Sequence, residues 1–199
     1  MNRFALLVSG VVLGCALVIP QAVRADTSEW TLDGTHSRIG FSVSHMVVSS
    51  VSGRFKQFSG TVALDDANLT KSQVDITIKT ESIDTDDAKR DEHLRSPDFF
   101  DAKKFPTLLF KSSKITKAGG NKYKLTGALT IHGVTKDVTL DATVSDPVKN
   151  PWGKMVRSVK LGGKVKRSDF GLKWNKTLDA GGVLVGDDVT LDIQVEVDK

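Results

Sequence analysis

The sequence predicts an all-β fold in a single domain. Apolar and polar residues alternate along many short segments, which is the pattern of antiparallel strands with one dry face and one solvated face. In the segment 39–45, Ile39, Phe41 and Val43 share one face, while glycine and serine occupy the other. Turn sequences separate about eight such segments, so the residues indicate a closed β-barrel or a β-sandwich. Only the barrel encloses room for a small ligand.

The strands are placed by this alternation and by the turn residues between them. A first strand begins at Trp30 and includes 39–45. Further strands are expected at 60–64, 74–78, 107–115, 123–131, 138–144, 155–166 and 189–197. The sequence Ala-Gly-Gly-Asn at 118–121 predicts a hairpin turn, Gly133 closes the next connection, and a later loop carries Trp152 at its tip.

One helical segment is expected near residues 84–100. Its main helix is predicted at about 84–94. Asp84 opens this helix, and Asp86 and Asp87 occupy its first turn, where the helix dipole favours acidic side chains. No other stretch has a convincing helical pattern, so the predicted fold class is all-β with one short helical interruption.

Large apolar side chains are concentrated in the stretch 91–110, which we call the aromatic stretch and which holds four of the nine phenylalanines. The Ser-Pro pair at 96–97 predicts an N-cap and the start of a second, short helical turn that carries Phe99 and Phe100. Phe105 precedes a proline, which forces an extended backbone and returns the chain to a strand. The residues alone favour a lid over the hydrophobic core.

The first 25 residues have the features of a cleavable secretory signal peptide. A basic residue is followed by an uncharged run over 4–19, and Val23 and Ala25 supply the small residues that precede a cleavage site. The run is shorter than the ~20 apolar residues that span a bilayer. We therefore expect a leader at 1–25, a periplasmic location, and a mature domain at 26–199 without membrane insertion after cleavage.

Composition narrows the function classes. Cys15 is the single cysteine and lies within the expected leader. A lipoprotein signal is the alternative interpretation, but Cys15 lies very early and precedes further apolar residues. Without the leader the protein has no disulfide and no cysteine-ligated metal. Loss of Arg3 and Arg24 halves the net charge of +4, so neither nucleic acid nor an anionic membrane surface is favoured as a partner.

The titratable residues form no pattern of a catalytic or metal site. The histidines are His36, His45, His93 and His132. They are scattered, and no two have the i, i+4 spacing of a zinc-protease helix. Asp33 and His36 are expected to form a local polar cluster at the start of a strand. No glycine-rich phosphate loop is present, so the sequence predicts no catalytic residues and no metal.

A basic cluster lies beside the aromatic stretch. It consists of Arg90, His93 and Arg95. We interpret these side chains as solvated helix surface, because long basic side chains usually keep their charged ends in water. Contact with the anionic head group of a ligand is the alternative interpretation.

Several motifs, taken in order, resemble the YceI-like family of exported lipid-binding proteins. They are WxLDxxHS at 30–37, FxVxH at 41–45, GxFxxFxG at 53–60, HLRSPDFFD at 93–101 with FP at 105–106, GxLTIHGVT at 127–135 and RSDFG at 167–171. Each motif alone is weak. Together they span essentially the whole mature chain, so the resemblance is specific.

The resemblance implies an eight-stranded antiparallel, lipocalin-like barrel that holds a polyisoprenoid, a quinone-like lipid or another long amphiphile. It also implies a periplasmic location, a dimer in some members, and no established catalytic activity. No cofactor is implied beyond such a bound lipid. The apolar pocket of the family would here include Phe41, Val43, Phe55, Phe58, Leu94, Phe99, Phe100, Phe110, Leu129 and Phe170.

Two function classes follow from these observations. The first is a periplasmic carrier or sequestering protein, with the aromatic stretch as part of the wall and rim of its lipid pocket. The second is a non-catalytic stress-response or interaction module whose barrel is filled by its own side chains. An enzyme that uses Asp33 and His36 is the weakest hypothesis.

Overall fold

The computed structural model describes residues 27–178 and 181–199, so the predicted leader lies outside the described residues. The described residues form an 11-stranded sheet and one α-helix, α1 (Ala88–Arg95). The strands are β1 (Ser28–His45), β2 (Ser49–Phe55), β3 (Phe58–Leu64), β4 (Gln73–Lys79), β5 (Ile83–Asp84), β6 (Thr107–Gly119), β7 (Lys122–Ile131), β8 (Val134–Val144), β9 (Val148–Lys149), β10 (Met155–Lys166) and β11 (Val185–Asp198).

Eight of these strands form a closed antiparallel barrel. Their hydrogen-bonded order is β1-β3-β4-β6-β7-β8-β10-β11, and β11 returns to pair with β1. This last pairing runs from the partners Thr31 and Asp198 to the partners His45 and Val185. The structure therefore confirms the predicted eight-stranded barrel and excludes the sandwich, because a sandwich does not close on itself.

The helix and the aromatic stretch cover one side of the barrel wall. The strand β1 pairs with β3 at its start but with β2 along 39–45, and β2 in turn pairs with the short β5. Beyond β5 the described sheet has no further strand. Leu94 and Phe100 pack there against the core cluster that contains Phe55 and Ile83. The wall is thus completed by side chains from α1 and the turns that follow it.

The helix begins later than predicted. Asp87, not Asp84, is its N-cap, and the Asp87 carboxylate accepts hydrogen bonds from the backbone N–H groups of the second and third helical residues. Asp84 lies in β5, where it contacts Arg54 at 2.9 Å and Lys56 at 2.8 Å. The prediction was wrong because two cations, Arg54 on β2 and Lys56 just after it, bind this carboxylate outside the helix.

The predicted second helical turn is also wrong. Ser96 is the C-cap of α1 rather than an N-cap, and its hydroxyl donates to the carbonyl of His93 at 2.7 Å. Residues 97–100 form hydrogen-bonded turns, in which Phe99 N–H donates to Ser96 and Phe100 N–H donates back to Leu94. These bonds return the chain to the helix end, so it cannot continue as a new helix.

The other strand and turn predictions hold with local exceptions. The strand starting at 107 and the turns at 118–121 and Gly133 lie as expected, and Trp152 is 85% exposed at its loop tip. Sequence reasoning missed the separate short strands β2, β5 and β9. Nowhere in the described part of the chain does a helix have the length and apolar character needed to cross a membrane.

The ion pairs of Asp84 predict a specific acid sensitivity. Hydrogen bonding from Lys56, supported by Arg54, lowers the pKa of Asp84 from 3.8 to about 2, although partial burial opposes this. A carboxyl whose pKa is depressed by folding stabilises the fold above its unfolded pKa, and this stabilisation is lost as the pH falls toward its folded pKa. We expect Asp84→Asn to remove the part of the acid destabilisation that falls between about pH 4 and about pH 2.

Urea unfolding midpoints across this pH range would check this expectation. Asp137→Asn is the matched control, because Asp137 is exposed on β8. A pH dependence of Asp84→Asn that is identical to that of the parent would contradict the role given to this carboxylate.

Candidate functional site

Two cavities lie inside the barrel, and each has a volume of about 150 Å³. The first cavity is bounded by aliphatic side chains such as Leu64, Leu140 and Val197, together with Phe110. The second cavity lies toward the aromatic stretch and has several phenylalanines in its wall. Both walls consist almost wholly of apolar side chains, so the interior can hold hydrocarbon but offers few hydrogen bonds.

The two cavities meet at a ring of shared wall residues, which we call the junction. The junction consists of Ile39, Ile78, Leu129, Leu191 and Ile193. These residues come from β1, β4, β7 and β11, and Ile39 and Ile193 are direct cross-strand partners. Because the same side chains bound both spaces, the cavities are adjacent compartments of one apolar interior, with the junction between them.

Nine of the ten side chains expected in the pocket line these cavities. Phe110 lines the first cavity and Leu129 lines both. Those that line only the second cavity are Phe41, Val43, Phe55, Leu94, Phe99, Phe100 and Phe170. Phe58 lines neither, because it lies at the corner between β2 and β3 and packs against the core cluster. Contact of these side chains with a ligand stays a prediction.

Sequence reasoning missed many aliphatic wall residues. The strand β11 supplies six of them, namely Val185, Val189, Leu191, Ile193, Val195 and Val197. The same alternation that predicted this strand also marks its inward face, so the signal was present in the sequence. The selection of pocket residues instead favoured phenylalanines within family motifs and therefore emphasised the second cavity.

The RSDFG motif closes the barrel end beside the second cavity. Arg167 lines this cavity, and its guanidinium donates to the carbonyls of Gly186 at 2.8 Å and Trp174 at 2.9 Å. Burial lowers the pKa of Arg167, although the nearby Asp187 opposes this effect. Phe170 is only 1% exposed. This end is therefore packed shut by side chains and by an arginine that binds backbone carbonyls.

Asn175 reinforces the same closed end. Its amide donates to the carbonyl of Val185 at 2.8 Å, and its carbonyl oxygen accepts from the N–H of Val185 at 3.1 Å. Trp174 stacks against Phe99 and His93, with ring centroids 5.0 and 4.8 Å away. The polar side chain of Asn175 thus connects its own segment to the start of β11, and it does not line either cavity.

The basic cluster on α1 is used for internal contacts. Arg90 donates to the hydroxyl and the carbonyl of Thr85 at 2.8 and 2.7 Å. Arg95 donates to the carbonyls of Glu81 and Ile83 at 2.8 and 2.7 Å. The interpretation as solvated surface is wrong for both arginines, because each ties the helix to the segment before it.

Asp33 and His36 form the predicted polar cluster in an irregular part of β1. His36 Nδ1 lies 2.8 Å from Asp33 Oδ2. Glu196 adds a third side chain that could bind a metal ion, and the three atoms that could coordinate such an ion lie within 4.8 Å of one another. The hydrogen bond to Asp33 raises the pKa of His36, and the same bond lowers the pKa of Asp33. His36 is exposed, and these three residues line neither cavity.

A closed eight-stranded antiparallel barrel with apolar cavities is an architecture that can hold a small apolar ligand. The model of the YceI-like domain family matches residues 30–197 of the chain. The protein therefore belongs to the YceI-like family, as its motifs suggested.

Individual relatives agree with this assignment. A UPF0312 protein of Photorhabdus laumondii is 38% identical over 82% of this chain and 85% of its own length. The crystal structure of a Campylobacter jejuni YceI protein is 39% identical with a TM-score of 0.68, and covers 86% of this chain and 98% of that one. A polyisoprenoid binding domain from Saccharophagus degradans has a TM-score of 0.59 at 16% identity, covers 84% of this chain and 97% of that one, and shares the fold.

The closed end predicts a large stability effect. Phe170→Ala should lower the free energy of unfolding by about 3–5 kcal/mol, because it removes a ring that is 1% exposed and enlarges the second cavity. Trp152→Ala removes another aromatic ring, but one that is 85% exposed, and should change this free energy by less than about 0.5 kcal/mol. Urea denaturation of both variants checks the pair, and equal effects would contradict the assignment of Phe170 to the core.

Proposed function

We propose that the protein is a periplasmic binding or carrier protein that holds a polyisoprenoid or a similar long-chain amphiphile inside its barrel. The observation that carries this proposal is the pair of apolar cavities that meet at the junction. A long, thin hydrocarbon chain fits two such compartments in line better than a compact ligand does. The fold shared with a polyisoprenoid binding domain supports the same class of ligand.

Burial of a lipid tail explains binding from water but not extraction from a membrane. Removing ten CH₂ groups from water yields about 8 kcal/mol at ~0.8 kcal/mol each. A tail that starts in a bilayer is already in an apolar medium, so most of this gain disappears. The shape of the cavities and polar groups at the barrel end must then determine which lipid is held, and transfer to a membrane stays energetically accessible.

The cavities favour this proposal over a packed interaction module, which would have an interior filled by its own side chains. The role is also non-catalytic, since the cavity walls offer almost no polar groups to act on a bound lipid. The periplasmic location rests on the predicted signal peptide at 1–25.

The direct test is native mass spectrometry of the exported protein, purified without detergent and followed by organic extraction. A discrete bound mass that is released as an isoprenoid lipid is the expected result. A protein that has no bound mass, and that takes up none after incubation with membrane extract, would contradict the carrier proposal.

The aromatic stretch provides a variant test. Phe99 and Phe100 both line the second cavity, and Phe99 also packs on His93 and Trp174. Phe99→Leu combined with Phe100→Leu should keep an apolar wall but change its shape, and should therefore weaken lipid retention. Leu109→Ala, at a 41% exposed position on β6, is the control and should retain lipid normally. A folded double variant that retains lipid as well as the parent would show that these rings do not hold the ligand.

A further inference from the structure

An inward-facing row of apolar side chains on β10 lies between two arginines, Arg157 near the start of the strand and Arg167 directly after its end. Val159 and Leu161 line the first cavity, and Val165 lines the second. Arg157 and Arg167 occupy the same alternating positions at the two ends of this row. Each therefore marks one end of the apolar interior, and Arg157 lies at the end that the RSDFG motif does not close.

The two arginines differ in how their hydrogen-bond donors are used. Arg167 is bound to several backbone carbonyls. Arg157 is equally buried, at 6% exposure, yet its Nε has no hydrogen-bond partner among the described residues. Its ion pair with Asp66 joins Nη2 to Oδ1 at 3.7 Å, which is too long for a hydrogen bond. Arg157 therefore keeps donor capacity that the described residues do not use.

A second buried donor lies against Arg157. The guanidinium carbon of Arg157 lies 5.6 Å from the ring centroid of Trp30, and Trp30 is only 2% exposed. The indole N–H of Trp30 also has no acceptor among the described residues. Buried polar groups in folded proteins nearly always have a partner, so these two donors indicate acceptors beyond the described residues, supplied by water or by a ligand.

A polar pocket of about 410 Å³ adjoins Arg157. It is formed by turns at this end of the barrel, and its polar side chains include Asp66, Asn68, Thr70, Lys117, Asn121 and Asp146. Leu69, Tyr123 and Val144 line both this polar pocket and the first cavity. The apolar interior therefore borders a polar compartment, and the tail and the head group of an amphiphile need two such neighbouring environments.

We propose that this polar pocket receives the head group of the bound amphiphile and that Arg157 donates hydrogen bonds to oxygen acceptors of that head group. This inference rests on the proposed lipid-binding function and adds an orientation to it. The head group lies at the Arg157 end, and the tail extends through the junction toward Phe170 at the closed end.

The charges of the pocket define the chemistry of the head group. Arg157, Lys117, Asp66 and Asp146 all line the pocket, and Asp66 is also paired with Lys199. Because the pocket contains both cations and carboxylates, its net charge does not select an anionic or a neutral head group. The head group must carry an oxygen that accepts a hydrogen bond, and this oxygen can belong to a phosphate or to a neutral carbonyl. The planar guanidinium fork suits either acceptor, and binds an anionic one more strongly.

The experiment compares three probes that share an isoprenoid tail. Geranylgeranyl phosphate has an anionic head, geranylgeranylacetone has a neutral carbonyl, and phytane has no head group. Displacement of a fluorescent apolar dye from the parent, from Arg157→Met and from Lys160→Met gives the relative affinities. Lys160 is the matched control because it lies on β10 with its side chain on the exposed, outer face.

The parent should bind at least one headed probe about tenfold or more tightly than phytane, because a hydrogen bond to a charged group contributes at this level. Arg157→Met should lose this preference without weakening phytane, and Lys160→Met should keep it. Preference for the phosphate alone identifies an anionic head group, and preference for both headed probes identifies any oxygen acceptor.

Failure of the head-group site is distinguishable from failure of the proposed function. Equal binding of all three probes by the parent would overturn the site while lipid binding stands, and this result does not depend on whether Arg157→Met folds. A folded Arg157→Met that keeps the preference would overturn the role of Arg157. Binding of no probe at all would overturn the lipid-binding function, and the head-group site with it.

Discussion

The pairing of the first barrel strand with the last is the interaction on which the rest of the structure depends. Along almost its full length, β1 is hydrogen-bonded to β11, and this pairing converts an open sheet into a ring. Closure removes the exposed edges of the main sheet and encloses an interior that only inward-facing side chains can fill. The apolar faces of the strands leave this interior partly unfilled, with the junction residues around its centre.

The two ends of the ring are built differently, and this asymmetry gives the barrel a direction. At one end, the ring of Phe170 is almost completely buried, and the guanidinium of Arg167 donates hydrogen bonds to backbone carbonyls. The polar group at this end is therefore paired within the protein. At the other end, Arg157 and Trp30 are buried with unpaired donors next to a polar pocket. A tail buried against the first end and a head group held at the second would satisfy both environments.

Local patterns in the sequence predicted most strands. The features that were not predicted are those that no alternation of residues and no turn residue marks. The alternation in β11 identified both a strand and its inward face. The turn between β1 and β2 was missed because Met46 and Val47 adopt positive φ angles of 50° and 64°, which apolar side chains rarely do, and no glycine marks them.

For the site, the sequence identified those cavity residues that are phenylalanines within family motifs. Arg157 was overlooked, although it shares the alternating positions of Val159 and Leu161, because an arginine is normally assigned to the solvated face.

Methyl NMR on the protein with a bound isoprenoid lipid tests the central claim most directly, because the junction supplies isoleucine and leucine methyl groups from four strands. The account predicts nuclear Overhauser effects from the lipid tail to the methyl groups of Ile39, Ile78 and Ile193, which line both cavities. Val148, which is 66% exposed, should show none. Contacts that are confined to exposed methyl groups, with the junction unchanged, would contradict binding inside the barrel.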